Sequence, residues 1–158
     1  MKPLADLLGE SRIRLDSPAE AREAIMGELA ELLGGCDAAV REAVLDGLIS
    51  RERVSSTAVG GGVAFPHARI DILPGIRLAF LRTSTPVEFS ASDDKKVDLF
   101  AAVAGPGPQR REYLSVLSRL SYLFRSEKLR ERFRSVGSPA ELLQLMRDSD
   151  RSPRRDGE

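Results

Sequence analysis

The chain has 158 residues, 42% of them hydrophobic, which is enough for one buried core and too little for two ordinary domains. Its 24 basic and 24 acidic residues cancel, so no net positive charge attracts nucleic acid or an anionic membrane. One cysteine, Cys36, excludes a disulfide within the chain, and one cysteine with one histidine excludes a Cys/His zinc site; no metal or cofactor is expected.

No apolar run reaches bilayer length, and the N-terminus lacks the apolar region of a signal peptide. We therefore expect a cytoplasmic protein with no direct membrane insertion. A single domain is predicted over residues 1–148, followed by a flexible polar C-terminal tail over residues 149–158 that contains Pro153. Cys36 lies in a turn between helical segments and is expected to be a small buried residue.

The first third of the chain predicts one strand and two helices. Residues 12–15 alternate polar and apolar side chains, as a short edge strand does. Residues 17–20 (Ser-Pro-Ala-Glu) have the pattern of a capping box, which predicts a helix with Ser17 as its N-cap and an end at Gly34-Gly35. Asp37 is predicted to cap the second helix.

The middle third predicts strands. They are expected over residues 62–65, 76–83 and 97–104, and the last is a nearly continuous apolar run typical of a central strand. Pro66 is expected to end the pairing of the first strand, which places the next residue at a strand exit. A charged turn is predicted over residues 90–96.

The last third predicts helices. An apolar stripe runs from Tyr113 to Phe124, and Ser126 and Ser138 are candidate N-caps of two further helices. Helices on either side of a run of strands predict an α/β domain.

The only histidine, His67, lies in a segment rich in glycine and hydroxyl residues, SSTAVGGGVAFPHAR over residues 55–69. An imidazole has a pKa near neutrality, so its nitrogen can act as a nucleophile. Ser56, Thr57 and the backbone amides of residues 60–62, aided by arginines, are groups that could bind an oxyanion such as a phosphoryl group. A purely structural role is the alternative for each of these groups. A glycine run without a following Lys-Ser/Thr is not a P-loop.

The segments SRER (50–53), Ser56-Thr57, GGGVAFPHAR (60–69), PVEF (86–89), VDLF (97–100) and Gly105-Pro106 occur in the order and at the spacing of a known family. They resemble the IIA domains of the bacterial sugar phosphotransferase system, of the fructose/mannitol type that includes the stand-alone nitrogen-regulatory IIA proteins. The resemblance spans roughly residues 13–147. It implies a single-domain mixed β-sheet flanked by helices on both faces.

The resemblance also implies that His67 accepts a phosphoryl group from an HPr-like phosphocarrier protein. The protein would then be a phosphohistidine carrier rather than a free-standing enzyme, most simply a regulatory one that binds target proteins according to its phosphorylation state. The candidate supporting or phosphate-binding residues are Ser56, Thr57, Arg69, Arg51, Arg53, Gly62 and Tyr113.

The sequence departs from the family pattern at three positions. Tyr113 stands where many members have a second histidine facing the phosphorylated one, Ala68 stands where glycine is common, and Gly61 stands where asparagine is frequent. A phenol is neutral at pH 7 and supplies no positive charge. Two alternatives therefore stay open: a sugar-specific IIA that passes its phosphoryl group to a IIB domain, and a binding module that keeps the fold without being phosphorylated.

Overall fold

A computed structural model of the chain describes residues 2–89 and 95–150. One six-stranded mixed sheet lies between two layers of helices, as predicted. The helices are α1 (Leu4–Leu8), α2 (Arg22–Gly34), α3 (Ala38–Val54), α4 (Arg110–Leu123), α5 (Glu127–Ser135) and α6 (Pro139–Ser149); the strands are β1 (Ile13–Ser17), β2 (Ala58–Gly60), β3 (Val63–Ala64), β4 (His67–Arg69), β5 (Arg77–Val87) and β6 (Val97–Gly105).

Strand β6 is the centre of the sheet. The strand order is β1-β5-β6-β3-β2, and β4 also pairs with β6, beyond β3 on the same side. Both β3 and β4 run parallel to β6, whereas β5 runs antiparallel to it. Consecutive β6 side chains alternate between the two cores, because strand side chains have a period of two. Leu99, Ala101 and Val103 face the core beneath α1 and α4–α6, and Phe100, Ala102 and Ala104 face the core beneath α2 and α3.

Several local predictions are confirmed. Strand β1 lies at a sheet edge, and Asp37 accepts hydrogen bonds from the backbone amides of Ala39 and Val40 at the start of α3. Ser126 and Ser138 cap α5 and α6 through their side chains. The predicted charged turn over residues 90–96 falls mostly on residues 90–94, which lie outside the described residues.

The predicted start of the first long helix is wrong. Ser17 is the last residue of β1, opposite Thr83 of β5, and its hydroxyl donates to Glu28 while accepting from the backbone amide of Ala19. The helix α2 begins later, at Arg22, without a side-chain cap. Pairing of β1 with β5 therefore prevails over the local capping pattern.

Two further expectations are corrected. Cys36 is exposed, because the turn between α2 and α3 lies at the surface. His67 does not lie at a strand exit: pairing with β6 resumes after Pro66, so His67 begins β4, opposite Val103.

At the C-terminus, α6 continues to Ser149 and Asp150 pairs with Arg119. The rest of the predicted tail, residues 151–158, lies outside the described residues and stays a prediction.

Candidate phosphoryl-acceptor site

The ring of His67 is held by a backbone carbonyl. Nδ1 of His67 lies 2.7 Å from the carbonyl oxygen of Phe65, two residues earlier. A carbonyl oxygen only accepts, so Nδ1 carries a proton, and in the neutral ring Nε2 then bears the lone pair. The Phe65–Pro66 segment that separates β3 from β4 places this carbonyl beside the ring. The Phe65 carbonyl therefore fixes the tautomer in which Nε2 is available as a nucleophile.

The surroundings of His67 favour the neutral ring. Partial burial lowers the pKa of His67, and the charge of Arg51 lowers it further, while the hydrogen bond to Phe65 and the charge of Glu52 oppose the shift. The net direction is downward from the ordinary value. A neutral ring with a free Nε2 lone pair is the reactive form for nucleophilic attack.

Tyr113 lies against the imidazole. The two ring centroids are 6.1 Å apart with an interplanar angle of 61°, an edge-to-face contact. Tyr113 projects from the first turns of α4 and is 4% exposed. Burial raises the pKa of Tyr113 to about 12, although the charges of Arg69 and Arg51 oppose the shift. The phenol therefore stays protonated at neutral pH and can donate one hydrogen bond.

Two arginines bring positive charge to this site. Arg51, in the last turn of α3, acts electrostatically on both His67 and Tyr113, and Arg69 acts on Tyr113. Arg69 is exposed and lies two residues along β4 from His67, which puts both side chains on one face of the strand. Arg51 donates through Nη1 to the carbonyl of Ser55 at 2.9 Å, so part of its guanidinium is hydrogen-bonded to the residue that follows α3. The positive charges of Arg51 and Arg69 can therefore both attract an anion to this site.

Comparison with known proteins identifies the family. Residues 6–149 match the family model "Phosphoenolpyruvate-dependent sugar phosphotransferase system, EIIA 2". The chain belongs to this EIIA family. The match covers every described helix and strand except the first two residues of α1, so the resemblance drawn from the sequence is confirmed.

Individual relatives of this EIIA domain agree with the match. The nitrogen regulatory protein of Escherichia coli (strain K12) is 32% identical over 145 residues, 90% of this chain and 86% of that protein. The fructose-specific EIIA component of Haloferax volcanii is 33% identical over 123 residues, 76% of this chain and 79% of that protein. The crystal structure of nitrogen regulatory protein IIA-Ntr from Neisseria meningitidis superposes with a TM-score of 0.86 at 32% identity, covering 90% and 98% of the two chains.

Of the other predicted site residues, Ser56 and Thr57 are engaged within the EIIA domain itself. The Ser56 hydroxyl donates to the carbonyl of Phe89 at 2.9 Å and accepts from the amide of Ala58 at 3.1 Å. Thr57 is 6% exposed, and its hydroxyl donates to Glu52 at 2.7 Å. Both hydroxyls therefore hold the segment between α3 and β2.

Gly62 and Arg53 are not brought to His67. Gly62 has a φ of 81°, and a Cβ there would lie 2.9 Å from Oδ1 of Asp98 and would clash with Arg134, so the position requires glycine. It lies next to the Asp98 end of β6, whereas His67 pairs with Val103. Arg53 is exposed and follows Arg51 by two residues, about 200° around the helix.

One residue near His67 was missed by sequence reasoning. Glu52 is 8% exposed, accepts two hydrogen bonds from Thr57 and acts electrostatically on His67. In the sequence it stands between two arginines at a helix end, where glutamates are ordinarily solvated. It continues the four-residue spacing of the buried α3 residues Val44 and Leu48, and this helical period is the signal that could have placed Glu52 on the buried face.

Within residues 2–89 and 95–150, no helix is both long enough and apolar enough to cross a membrane. The same residues contain no group of three His, Cys, Asp or Glu side chains that could hold a metal ion.

Proposed function

We propose that this protein is a regulatory phosphocarrier that accepts a phosphoryl group on Nε2 of His67 from an HPr-type carrier. The observation that carries the proposal is the 2.7 Å hydrogen bond between Nδ1 and the Phe65 carbonyl, which leaves the Nε2 lone pair free. Membership of the EIIA family supports the donor class, since this family works with HPr-type and IIB components. The protein is expected to act in the cytoplasm together with that carrier.

The transfer step needs little covalent work from the protein. The Nε2 lone pair forms the new N–P bond while the bond between phosphorus and the carrier breaks, and the departing carrier atom keeps that electron pair. The proton stays on Nδ1 throughout, where it is donated to the carbonyl of Phe65. Positioning and charge stabilisation supply most of the acceleration in phosphoryl transfer. Arg51, Arg69 and the neutral hydroxyl of Tyr113 are the candidate groups for stabilising the transferred oxygens.

The regulatory role is favoured over the sugar-specific one. The relatives in Escherichia coli and Neisseria meningitidis are named nitrogen regulatory proteins, and the chain covers 86% and 98% of them. The fructose-specific relative is covered over 79% of its length. The targets would be proteins that distinguish phosphorylated from unphosphorylated His67.

A binding module that is never phosphorylated is the second candidate. The observation that favours it is Tyr113, whose pKa of about 12 keeps it neutral where a protonated imidazole would add charge to the site. Arg51 and Arg69 weigh against it, because two cations beside an uncharged ring suit an anion.

The test is intact-mass analysis after incubation with phosphoenolpyruvate, enzyme I and an HPr-type carrier from the source organism. We expect one acid-labile phosphoryl group on the wild type and none on His67→Ala. Addition of a fructose-type IIB domain should leave the label on the regulatory protein, whereas rapid transfer would establish the sugar role. A wild type that gains no mass with any carrier, while Tyr113→His gains one group, would establish the binding module.

A further inference from the structure

A buried carboxylate lies at the end of helix α3. Glu52 is 8% exposed, and its two carboxylate oxygens accept from the backbone amide of Thr57 at 2.9 Å and from the Thr57 hydroxyl at 2.7 Å. Burying a carboxylate is costly unless donors replace the lost water. Both donors come from one residue, which is itself 6% exposed. Glu52 therefore holds Thr57 at a defined position below the surface.

Thr57 continues the connection towards the imidazole. Its carbonyl accepts from the backbone amide of Phe65 at 3.0 Å, and the Phe65 carbonyl accepts from Nδ1 of His67 at 2.7 Å. The bonds Glu52–Thr57, Thr57–Phe65 and Phe65–His67 form an unbroken series, here called the Glu52–His67 hydrogen-bond chain. It fixes the one peptide carbonyl that selects the imidazole tautomer.

Glu52 also acts on the ring through its charge. It raises the pKa of His67, whereas the neighbouring Arg51 lowers it. Consecutive residues of one helix thus oppose each other at the same imidazole. Removal of the carboxylate charge would therefore lower the pKa of His67 further, because burial and Arg51 would act with less opposition.

We propose that Glu52 is a positioning residue for His67, acting through Thr57 and the Phe65 carbonyl to keep the proton on Nδ1 and the lone pair on Nε2. The consequence for phosphoryl transfer rests on the function proposed above. The effect on the tautomer does not, because it concerns the unphosphorylated protein.

Three variants separate geometry from charge. Glu52→Ala removes both acceptors and leaves the amide of Thr57 buried without its partner. Glu52→Gln keeps an oxygen for that amide and offers an NH₂ group to the Thr57 hydroxyl, so it preserves the geometry without the charge. Thr57→Val removes one of the two bonds and leaves the carboxylate in place.

A matched control is available in another helix. Glu28 of α2 accepts from the hydroxyl of Ser17 and pairs with Arg14 at the β1 edge of the sheet. Glu28→Ala removes a comparable set of bonds from the side of the sheet remote from β4. Any change in the His67 tautomer in this variant would come from a general loss of order and not from the Glu52–His67 hydrogen-bond chain.

The experiment is ¹⁵N NMR of the imidazole in the unphosphorylated full chain, with a pH titration of each variant. We expect the Nδ1–H tautomer in the wild type, Glu28→Ala and Glu52→Gln, and a mixture of both tautomers in Glu52→Ala. Glu52→Gln should also titrate at a lower pH than the wild type. If Glu52→Ala fails to fold, Thr57→Val is measured in its place, with a smaller share of the second tautomer expected because the backbone amide of residue 57 still donates to Glu52.

The phosphorylation rate provides the second measurement. Misplacement of a reacting group by about 1 Å can cost ~100-fold in rate, so we expect Glu52→Ala to be slower by roughly 10- to 100-fold and Glu52→Gln to recover most of the rate. A folded Glu52→Ala, or Thr57→Val in its place, with the wild-type tautomer would overturn the proposal. A wild type that is not phosphorylated would refute the proposed function and leave the tautomer result standing.

Discussion

Substitution of Asp150 tests how much its ion pair with Arg119 contributes to the free energy of unfolding. Its carboxylate forms an ion pair with Nη2 of Arg119 in α4 and accepts from the backbone amide of Leu4 at 2.7 Å. The side chains of Arg119 and Asp150 are 10% and 4% exposed. Asp150→Ala therefore leaves a buried guanidinium without its counter-charge at the junction of α1, α4 and α6.

The burial of Arg119 and Asp150 sets the free energy of unfolding that Asp150→Ala is expected to lose. Removing one partner of a buried ion pair costs ~3–5 kcal/mol, and we expect the lower end, ~3 kcal/mol, because Arg119 keeps a bond to the carbonyl of Lys2. For a domain of this size ~1 kcal/mol corresponds to ~2–4 °C, so the midpoint of thermal unfolding should fall by ~6–12 °C. Arg119→Leu combined with Asp150→Ala should recover part of the loss, because no buried charge is then left unpaired.

The difference in unfolding free energy is measured by urea unfolding, with circular dichroism as the signal. The comparison set is the wild type, Asp150→Ala, the double variant, and a chain that ends after residue 152 and so keeps Asp150. The shortened chain should match the wild type in unfolding free energy. A loss under about 1 kcal/mol for Asp150→Ala would place the contact among ordinary surface ion pairs and refute the reasoning.

Two further predictions concern the His67 site, and a third concerns the packing of α3. Tyr113→His should increase the yield of acid-labile phosphoryl label by roughly fivefold, because a charge-assisted hydrogen bond adds ~1 kcal/mol; an unchanged yield would mean that residue 113 does not reach the phosphoryl oxygens. The pKa of His67 is lowered, so the phosphorylation rate should stay constant down to the ordinary histidine value of about 6.5 and fall only below it. A pH–rate profile that already falls above that value would contradict the lowered pKa. Gly47→Ala should lower the unfolding free energy in urea by up to ~2 kcal/mol, because a Cβ there would lie 2.7 Å from Ile70 and 3.0 Å from Ala68, and overpacking costs ~1–3 kcal/mol while alanine gains ~1 kcal/mol over glycine in a helix. A higher stability than the wild type would mean that α3 shifts to accommodate the methyl group.

Elements with a strong local signal could be predicted from the sequence. The apolar run of β6 and the caps Asp37, Ser126 and Ser138 agree with the structure. Ser17 shows where local chemistry misleads, because its capping pattern competes with strand pairing opposite Thr83. Pairing partners are distant in sequence, so a local pattern cannot report which of the two prevails.

The candidate site was predictable in its centre and less so at its periphery. His67 is unique and lies in a recognisable motif, whereas Glu52 is a carboxylate on the buried face of α3, where an apolar residue is expected. Gly62 precedes His67 by only five residues, yet an extended chain rises ~3.3 Å per residue, so the two lie ~16 Å apart. Closeness in sequence is thus a poor guide to closeness in space wherever the backbone is extended.

The distance along β6 between His67 and the Asp98–Arg134 ion pair has a consequence for how the proposed phosphorylation would be detected by another protein. His67 lies opposite Val103, while Asp98, five residues earlier in β6, binds Arg134 through two hydrogen bonds of 2.8 and 3.0 Å. Five residues of strand span ~16 Å, about twice the distance over which physiological salt screens charges in water. If His67 is phosphorylated as proposed, the added negative charge would act through solvent mainly on its own side of the molecule. A protein that distinguished the two proposed states would then be expected to contact that side, and a fluorophore or an affinity tag would be attached at the Arg134 end.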